Sequence, residues 1–428
     1  MSSPKSLNPN PVSASAFEVP EPPSPPGGSG TLLRRIGPGL VTGTANVDPS
    51  LVITATVVGA SFGFSLLWVI VLCIPFLFTV FGVSARLGYE TRKGLVDLLR
   101  ENYGKPAAAA CAMVVILINM AMIIADLMAV TDAMSIILLQ KRSFFVAAVA
   151  FTIWYVLIFR DYRKITRVLL WLSLPLFLYV AAAVLSRPDP YQLLLRTFVP
   201  RVTRAPDYLS AMIGLFGSLL TPYVLVWQTS SRREEAMQGG ERPGEAESHA
   251  GTFATTILSY SIVVAAAMVL HLPSPVDMTT RQAAQALQPA VGAWGTALFA
   301  VGIIGAGMVA LPVLVASMCY AVAESMGWPS GLSEQPWNAK WFYVLISGSM
   351  VVASIANFFR INPVKALYFS QVLAGILTIP ILFSILILSN DRRVMHTVNT
   401  RPQNFWMGAV IGALLAAGAL FLGWNLFH

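Results

Sequence analysis

Two short stretches hold the residues with chemistry to do. TANVDPSLVIT (44–54) puts a carboxylate, Asp48, directly before Pro49 inside an apolar run, and GSLLTPY (217–223) interrupts another run with Thr221 and Pro222. In a membrane helix an acid near the bilayer centre costs about 2.5 to 3.5 kcal/mol on insertion scales. A proline beside it removes a backbone hydrogen-bond donor. Both costs are offset if the backbone unwinds around a cavity where its freed carbonyls, with the carboxylate, meet a cation. Asp126, in NMAMIIADLMAVTD (119–132), is a second deep acid; it fits either a proton or ion relay or an ion pair with an Arg of a neighbouring helix. Asp132 lies nearer the end of that run and reads as interfacial. Glu324 and Gln371 (in KALYFSQVLAG) are weaker signals, since a lone polar side chain often just bonds across a helix interface.

The elements that must position these residues are membrane helices. Of the 428 residues, 56% are hydrophobic and only 11% charged, whereas a soluble domain is nearer a quarter charged. Runs long enough to cross a bilayer fall near 36–60, 65–87, 107–131, 143–160, 167–186, 208–229, 251–271, 293–324, 341–359, 364–389 and 404–426, which gives eleven spans. The two interrupted runs are spans 1 and 6. Their separation by five predicts two repeats of opposite topology, 31–190 (spans 1–5) and 200–390 (spans 6–10), with an eleventh span at 402–428 and a disordered tail at 1–30.

Lys and Arg set the orientation. With the N-terminus inside, 19 basic residues fall on the cytoplasmic side and 9 on the other, so the positive-inside rule puts the N-terminus in the cytoplasm and the C-terminus outside. That asymmetry accounts for the net charge of +8 without nucleic-acid binding. Cys73, Cys111 and Cys319 sit singly within spans and read as packing residues. His249, His271, His396 and His428 all fall in loops or at chain or span ends, which leaves carboxylates to carry any proton coupling. The stretch 90–104 reads as an amphipathic surface helix, and 231–249 as a solvated polar connection. No nucleophile–base pair, phosphate loop or metalloprotease motif points to an enzyme.

Several longer stretches carry a resemblance. IGPGLVTG with DPS, FGFSLLWV, SARLG, TPYVLVWQTS, VGIIGAGMVALPVLVASMCYAVAESMGW, NPVKALYFS and SNDRRVM resemble the natural resistance-associated macrophage protein (NRAMP, SLC11-type) metal transporters, and more closely their bacterial magnesium-transporter branch, from Ile36 to about Val394. The resemblance implies an all-α, LeuT-like fold with helices 1 and 6 unwound in the middle and a divalent metal held between them as substrate, with no cofactor. The family's helix 1 Asp-Pro-Gly-Asn falls on Asp48, Pro49, Ser50 and Leu51, which keeps the carboxylate and loses the liganding Asn. Its helix 6 Met-Pro-His falls on Thr221, Pro222 and Tyr223, its liganding carbonyl one turn earlier on Ser218, its helix 10 Gln on Gln371 and its second helix 6 His on Gln228. Asp126 matches the helix 3 Asp proposed as proton acceptor, while the acid expected three residues on is Ala129.

Exchanging a thioether for oxygen donors shifts preference from soft ions toward Mg²⁺, which keeps several waters and needs few direct ligands. In that branch helix 1 usually carries an acidic pair before Asp-Pro-Ser-Gly, where this chain has Asn46, Val47 and Leu51. The expected function is alternating-access transport of Mg²⁺ or Mn²⁺ by a monomer in a bacterial-type inner membrane. The alternatives are the same scaffold turned to a monovalent cation or small organic solute, or to a non-transporting role.

Overall fold

The computed structural model describes residues 47–159, 171–203, 205–237, 245–270, 275–332, 334–359 and 361–427. The expected tail, the first part of span 1 with Asn46, the start of span 5, His271 and His428, and the side chain of His249 lie outside the described residues.

All regular structure among the described residues is helical, and each of the eleven apolar runs contains a helix. Span 1 contributes Pro49–Phe62, span 2 Leu67–Thr91, span 3 Lys105–Leu138, span 4 Arg142–Phe159 and span 5 Leu178–Leu185 after a short 3₁₀ turn. Span 6 is divided into Pro206–Leu220 and Pro222–Met237. Then follow Glu245–Val269, Gly295–Met326, Lys340–Ala356, Pro363–Asn390 and Arg401–Phe427 as spans 7 to 11.

Prolines mark the helix starts. Pro49, Pro206 and Pro363 each stand in a first turn, where the missing N–H has no intrahelical acceptor to lose and the fixed φ is already helical. Asp48 and Asn362 cap two of these starts, accepting from the amides of Leu51 and Val364. At the other kind of end, the guanidinium of Arg142 donates to the carbonyls of Asn357, Phe359 and Ile361, each at 3.3 Å. A cation there complements the carbonyls that close span 9, one of which, that of Phe359, also accepts the Ile361 amide at 2.9 Å.

Two expectations need correction. The surface helix is Leu95–Tyr103, not 90–104, because Glu90 and Thr91 still belong to span 2 and Gly104, at φ 86°, turns the chain straight into span 3. Burial pushes the carboxyl of Asp97 in this helix above its ordinary range, against the opposing pull of Arg233 and Arg100. The second correction concerns 231–249. The last part of span 6 runs on as helix to Met237, and Arg233 is ion-paired to Asp97 and Glu324 at 3.3 and 3.5 Å.

The start of the span 1 helix at Asp48 and the break in span 6 lie at the centre. Span 7 packs on span 1, span 10 on the first half of span 6, and the second half of span 6 on span 2, while spans 3 and 8 lie along one another. Close approach depends on glycine at one junction above all. A Cβ on Gly217 would collide with the backbone carbonyl of Gln371 and stand 3.1 Å from the Cα of Gly375, so spans 6 and 10 meet backbone to backbone.

Overpacking a tight contact costs about 1 to 3 kcal/mol. Gly217→Val is therefore expected to lower the melting temperature of the detergent-purified protein clearly, while Gly412→Val, at a position with open space around it, leaves it near wild type. Differential scanning fluorimetry of the two variants checks this.

Candidate functional site

The site begins with Asp48. Its backbone is extended (φ −103°, ψ 164°), and its Oδ1 accepts the Leu51 amide at 2.7 Å, so the acid is the N-cap of the helix that follows. A carboxylate at a helix N-terminus is worth about 0.3 to 1 kcal/mol at an exposed surface and up to about 2 when partly buried. That offsets part of the insertion cost of Asp48 before any ion is considered. The other oxygen, Oδ2, accepts the hydroxyl of Tyr223 at 3.2 Å. This bond joins the break in span 1 to the break in span 6.

At the second break the geometry is strained. Thr221 sits in the left-handed region (φ 40°, ψ 73°) between the two halves of span 6, a conformation that costs an L-residue roughly 1 to 2 kcal/mol and that β-branched residues rarely adopt. Its amide donates to the Gly217 carbonyl at 3.2 Å and its carbonyl accepts from Val224 at 2.8 Å. What Thr221 offers a ligand is its hydroxyl. Ser218 is the reverse case: its hydroxyl turns back to the Leu215 carbonyl at 2.9 Å, while its own carbonyl faces position 222, where proline has no N–H to give. Ser218 therefore offers a carbonyl oxygen.

Behind Asp48 stands the second carboxylate. Ser50 donates its hydroxyl to Asp126 Oδ1 at 2.6 Å, and Ser50 stands two residues from Asp48 in the same first turn. Of the two roles that the sequence leaves open for Asp126, the Arg pair is not formed among the described residues: Ser50 is the partner. Asp126 Oδ2 has no hydrogen-bond partner there, nor has either polar atom of the Gln371 side chain. Buried polar atoms are nearly always bonded, so three such atoms beside two helix breaks indicate groups built to meet something other than protein. Asp48, Ser50, Leu51, Ser218, Gln371 and Asp126 are completely buried and Thr221 and Tyr223 are at most 3% exposed.

The structure thus links Asp48, Ser50, Leu51, Tyr223 and Asp126 through hydrogen bonds, and brings Gln371 to the last turn before the span 6 break through Gly217. Leu51 serves through its backbone amide. Pro49 and Pro222 stand at the two breaks, and Gly307 of span 8 lies so close to Pro49 that a Cβ would come 3.1 Å from its ring. Glu324 is elsewhere, at the end of span 8, and Gln228 lies past Tyr223 on the second half of span 6. The sequence reading passed over Thr54, one turn beyond Ser50, which is fully buried with an unpartnered hydroxyl. Its four-residue spacing from Ser50 was the available signal. No group of three or more His, Cys, Asp or Glu side chains capable of holding a metal occurs among the described residues, so a metal at this site would meet one carboxylate and neutral oxygens.

Relatives of this chain are metal transporters. A sequence model of the Nramp family, described as natural resistance-associated macrophage protein-like, matches residues 39–424. The divalent metal cation transporter MntH of Deinococcus radiodurans is 26% identical over 419 residues, covering 94% of this chain and 92% of that protein. MntH of Bacillus subtilis is 23% identical over 410 residues, covering 91% and 92%. Among solved structures, the Eremococcus coleocola manganese transporter, in complex with an aromatic bis-isothiourea compound, superposes with a TM-score of 0.68 at 17% identity, covering 95% of this chain and 90% of that one. This likeness establishes the LeuT-like fold.

Leaving a buried charged group without its hydrogen bond costs about 1 to 3 kcal/mol or more. Ser50→Ala is expected to destabilise the protein by that order, and to do so much less in an Asp126→Leu background, where no carboxylate is left unpaired. A double-mutant cycle on thermal stability in detergent measures the difference.

Proposed function

The chain belongs to the Nramp family, a family of membrane transporters and not of enzymes, and from that premise we propose that it carries divalent metal ions across a lipid bilayer, the metal being its substrate. The observation that carries the reading is the Asp48–Tyr223 hydrogen bond, which sets the one carboxylate of span 1 at the break of span 6. The metal-binding set is Asp48 through its carboxylate, Ser218 through its carbonyl, Thr221 and Tyr223 through hydroxyls, and Gln371 through its amide oxygen or a metal-bound water. Ser50 and Leu51 hold the carboxylates in place.

Every donor in this set is an oxygen. Hard oxygen ligands favour Mg²⁺ and Mn²⁺ over softer ions, and an ion that keeps part of its water shell needs few protein ligands. Asp126, held behind Ser50, is the proton or ion relay of this reading. The complete burial of Asp48 and Gln371 between spans 1, 6 and 10 fits an alternating-access cycle, in which the repeats 31–190 and 200–390 move against one another around the site. The asymmetry of Lys and Arg supports a cytoplasmic N-terminus and an external C-terminus in a bacterial-type inner membrane, with the monomer as the working unit.

Flux into proteoliposomes tests this. Saturable uptake of Mg²⁺ or Mn²⁺, read with a metal-sensitive dye inside, is expected for the wild type and is lost in Asp48→Ala. Thr221→Met, which puts a thioether at the break, is expected to shift the preference toward Cd²⁺ by tenfold or more. Absence of flux for any dication would turn the scaffold over to a monovalent or organic substrate, or to a role without transport.

A further inference from the structure

We propose that Glu324 is a positioning residue of the transport cycle: it latches the second half of span 6, and with it Tyr223, closed toward the face that carries the 2–3, 6–7 and 8–9 connections. The proposal rests on the transport reading above and on a cluster of groups that the ion site does not use.

Glu324 lies in the last turn of span 8 and is 1% exposed. A buried carboxylate persists only when its charge is matched and its lone pairs are filled, and here this is done by two elements far away in sequence. The first is the surface helix Leu95–Tyr103, whose Val96 amide donates to Oε2 at 3.2 Å. The second is the part of span 6 beyond the break, from which the Ser230 hydroxyl donates to Oε1 at 2.8 Å and Arg233 reaches the same oxygen at 3.5 Å. Arg233 extends the cluster to Asp97 at 3.3 Å, itself paired with Arg100 at 3.1 Å, and to the Ser330 carbonyl at 3.3 Å, while lying over the Tyr320 ring. The Leu95 amide meets the Thr229 hydroxyl at 3.3 Å. Gly94 completes the arrangement, since the Glu324 carboxylate occupies the place where a side chain on Gly94 would begin.

What separates a latch from an ordinary staple is the hinge. Asn119 of span 3 bonds to the Leu314 carbonyl and to Ser317 of span 8, but both of those helices run unbroken through the contact. Glu324 instead holds a segment that begins at the strained Thr221 and has its own helix start at Pro222. Swinging that segment requires the bonds to Ser230 and Arg233 to break, and breaking them frees the segment that carries Tyr223 away from Asp48.

The test is directional thiol accessibility, which needs no transport. In a background with Cys73, Cys111 and Cys319 changed to Ala, Val226→Cys reports on the second half of span 6 and Ser210→Cys on the first. Each is labelled by a membrane-impermeant maleimide added from the face nearer to it. Glu324→Gln, and independently Gly94→Ala, which keeps every charge but displaces the carboxylate, are expected to raise labelling at Val226→Cys at least fivefold and to leave Ser210→Cys unchanged or lower. Should Glu324→Gln fail to fold, Arg233→Gln reads the same latch from its solvent edge. Unchanged labelling at Val226→Cys in monodisperse variants overturns the latch, and so does a rise at both positions, which marks general loosening. A rise confined to Val226→Cys in a protein without metal flux keeps the latch and removes the transport reading, whereas wild-type flux with no rise does the opposite.

Discussion

Within a bilayer, backbone donors and acceptors have no water to turn to, so a helix can be interrupted only where the protein itself answers the freed groups. The pair formed by Asp48 and the amide of Leu51 is the clearest answer in this protein. The acid that the membrane disfavours is the cap that the interrupted helix requires, so the break and the charge sustain one another. At span 6 the proline leaves the Ser218 carbonyl without its usual donor, and Thr221 takes up a left-handed turn to continue the chain. Strain of this kind persists only where the surroundings hold it. Here they include Tyr223, tied to Asp48, and the close packing of span 10 on Gly217.

The scaffold around these breaks is rigid for a stated reason. Lipid gives helices no hydrophobic drive to associate, so contact has to come from close packing and polar bonds. Both occur where the site needs them. Glycines let spans 6 and 10, and spans 1 and 7, approach to backbone distance, and Asn119 with Ser317 fixes spans 3 and 8. Asp126 is thereby held on a helix fixed to span 8, while the second half of span 6 is held by close packing on span 2 at Gly88 and by the side chains around Glu324.

In the proposed site the donors are spread over one carboxylate, one backbone carbonyl, two hydroxyls and an amide, contributed by three helices, and no cluster of three His, Cys, Asp or Glu occurs among the described residues. The second acid, Asp126, stands behind the Ser50 hydroxyl.

Much of this was legible in the sequence. Eleven apolar runs, the prolines at positions 49 and 222, the lone acid before the first of them, and the five-span separation of the breaks follow from hydropathy and backbone chemistry, which are local properties. The long matched stretches added the family. The tertiary structure decided the rest, because it depends on which atoms meet across helices. Asp126 turned to Ser50 and not to an arginine, Ser218 kept its hydroxyl for its own helix and left its carbonyl, and Arg233 left an apparently solvated charge run to meet a buried Glu324. Periodicity places a side chain on a face of its helix. Only the packing of the neighbouring helices determines what that face touches.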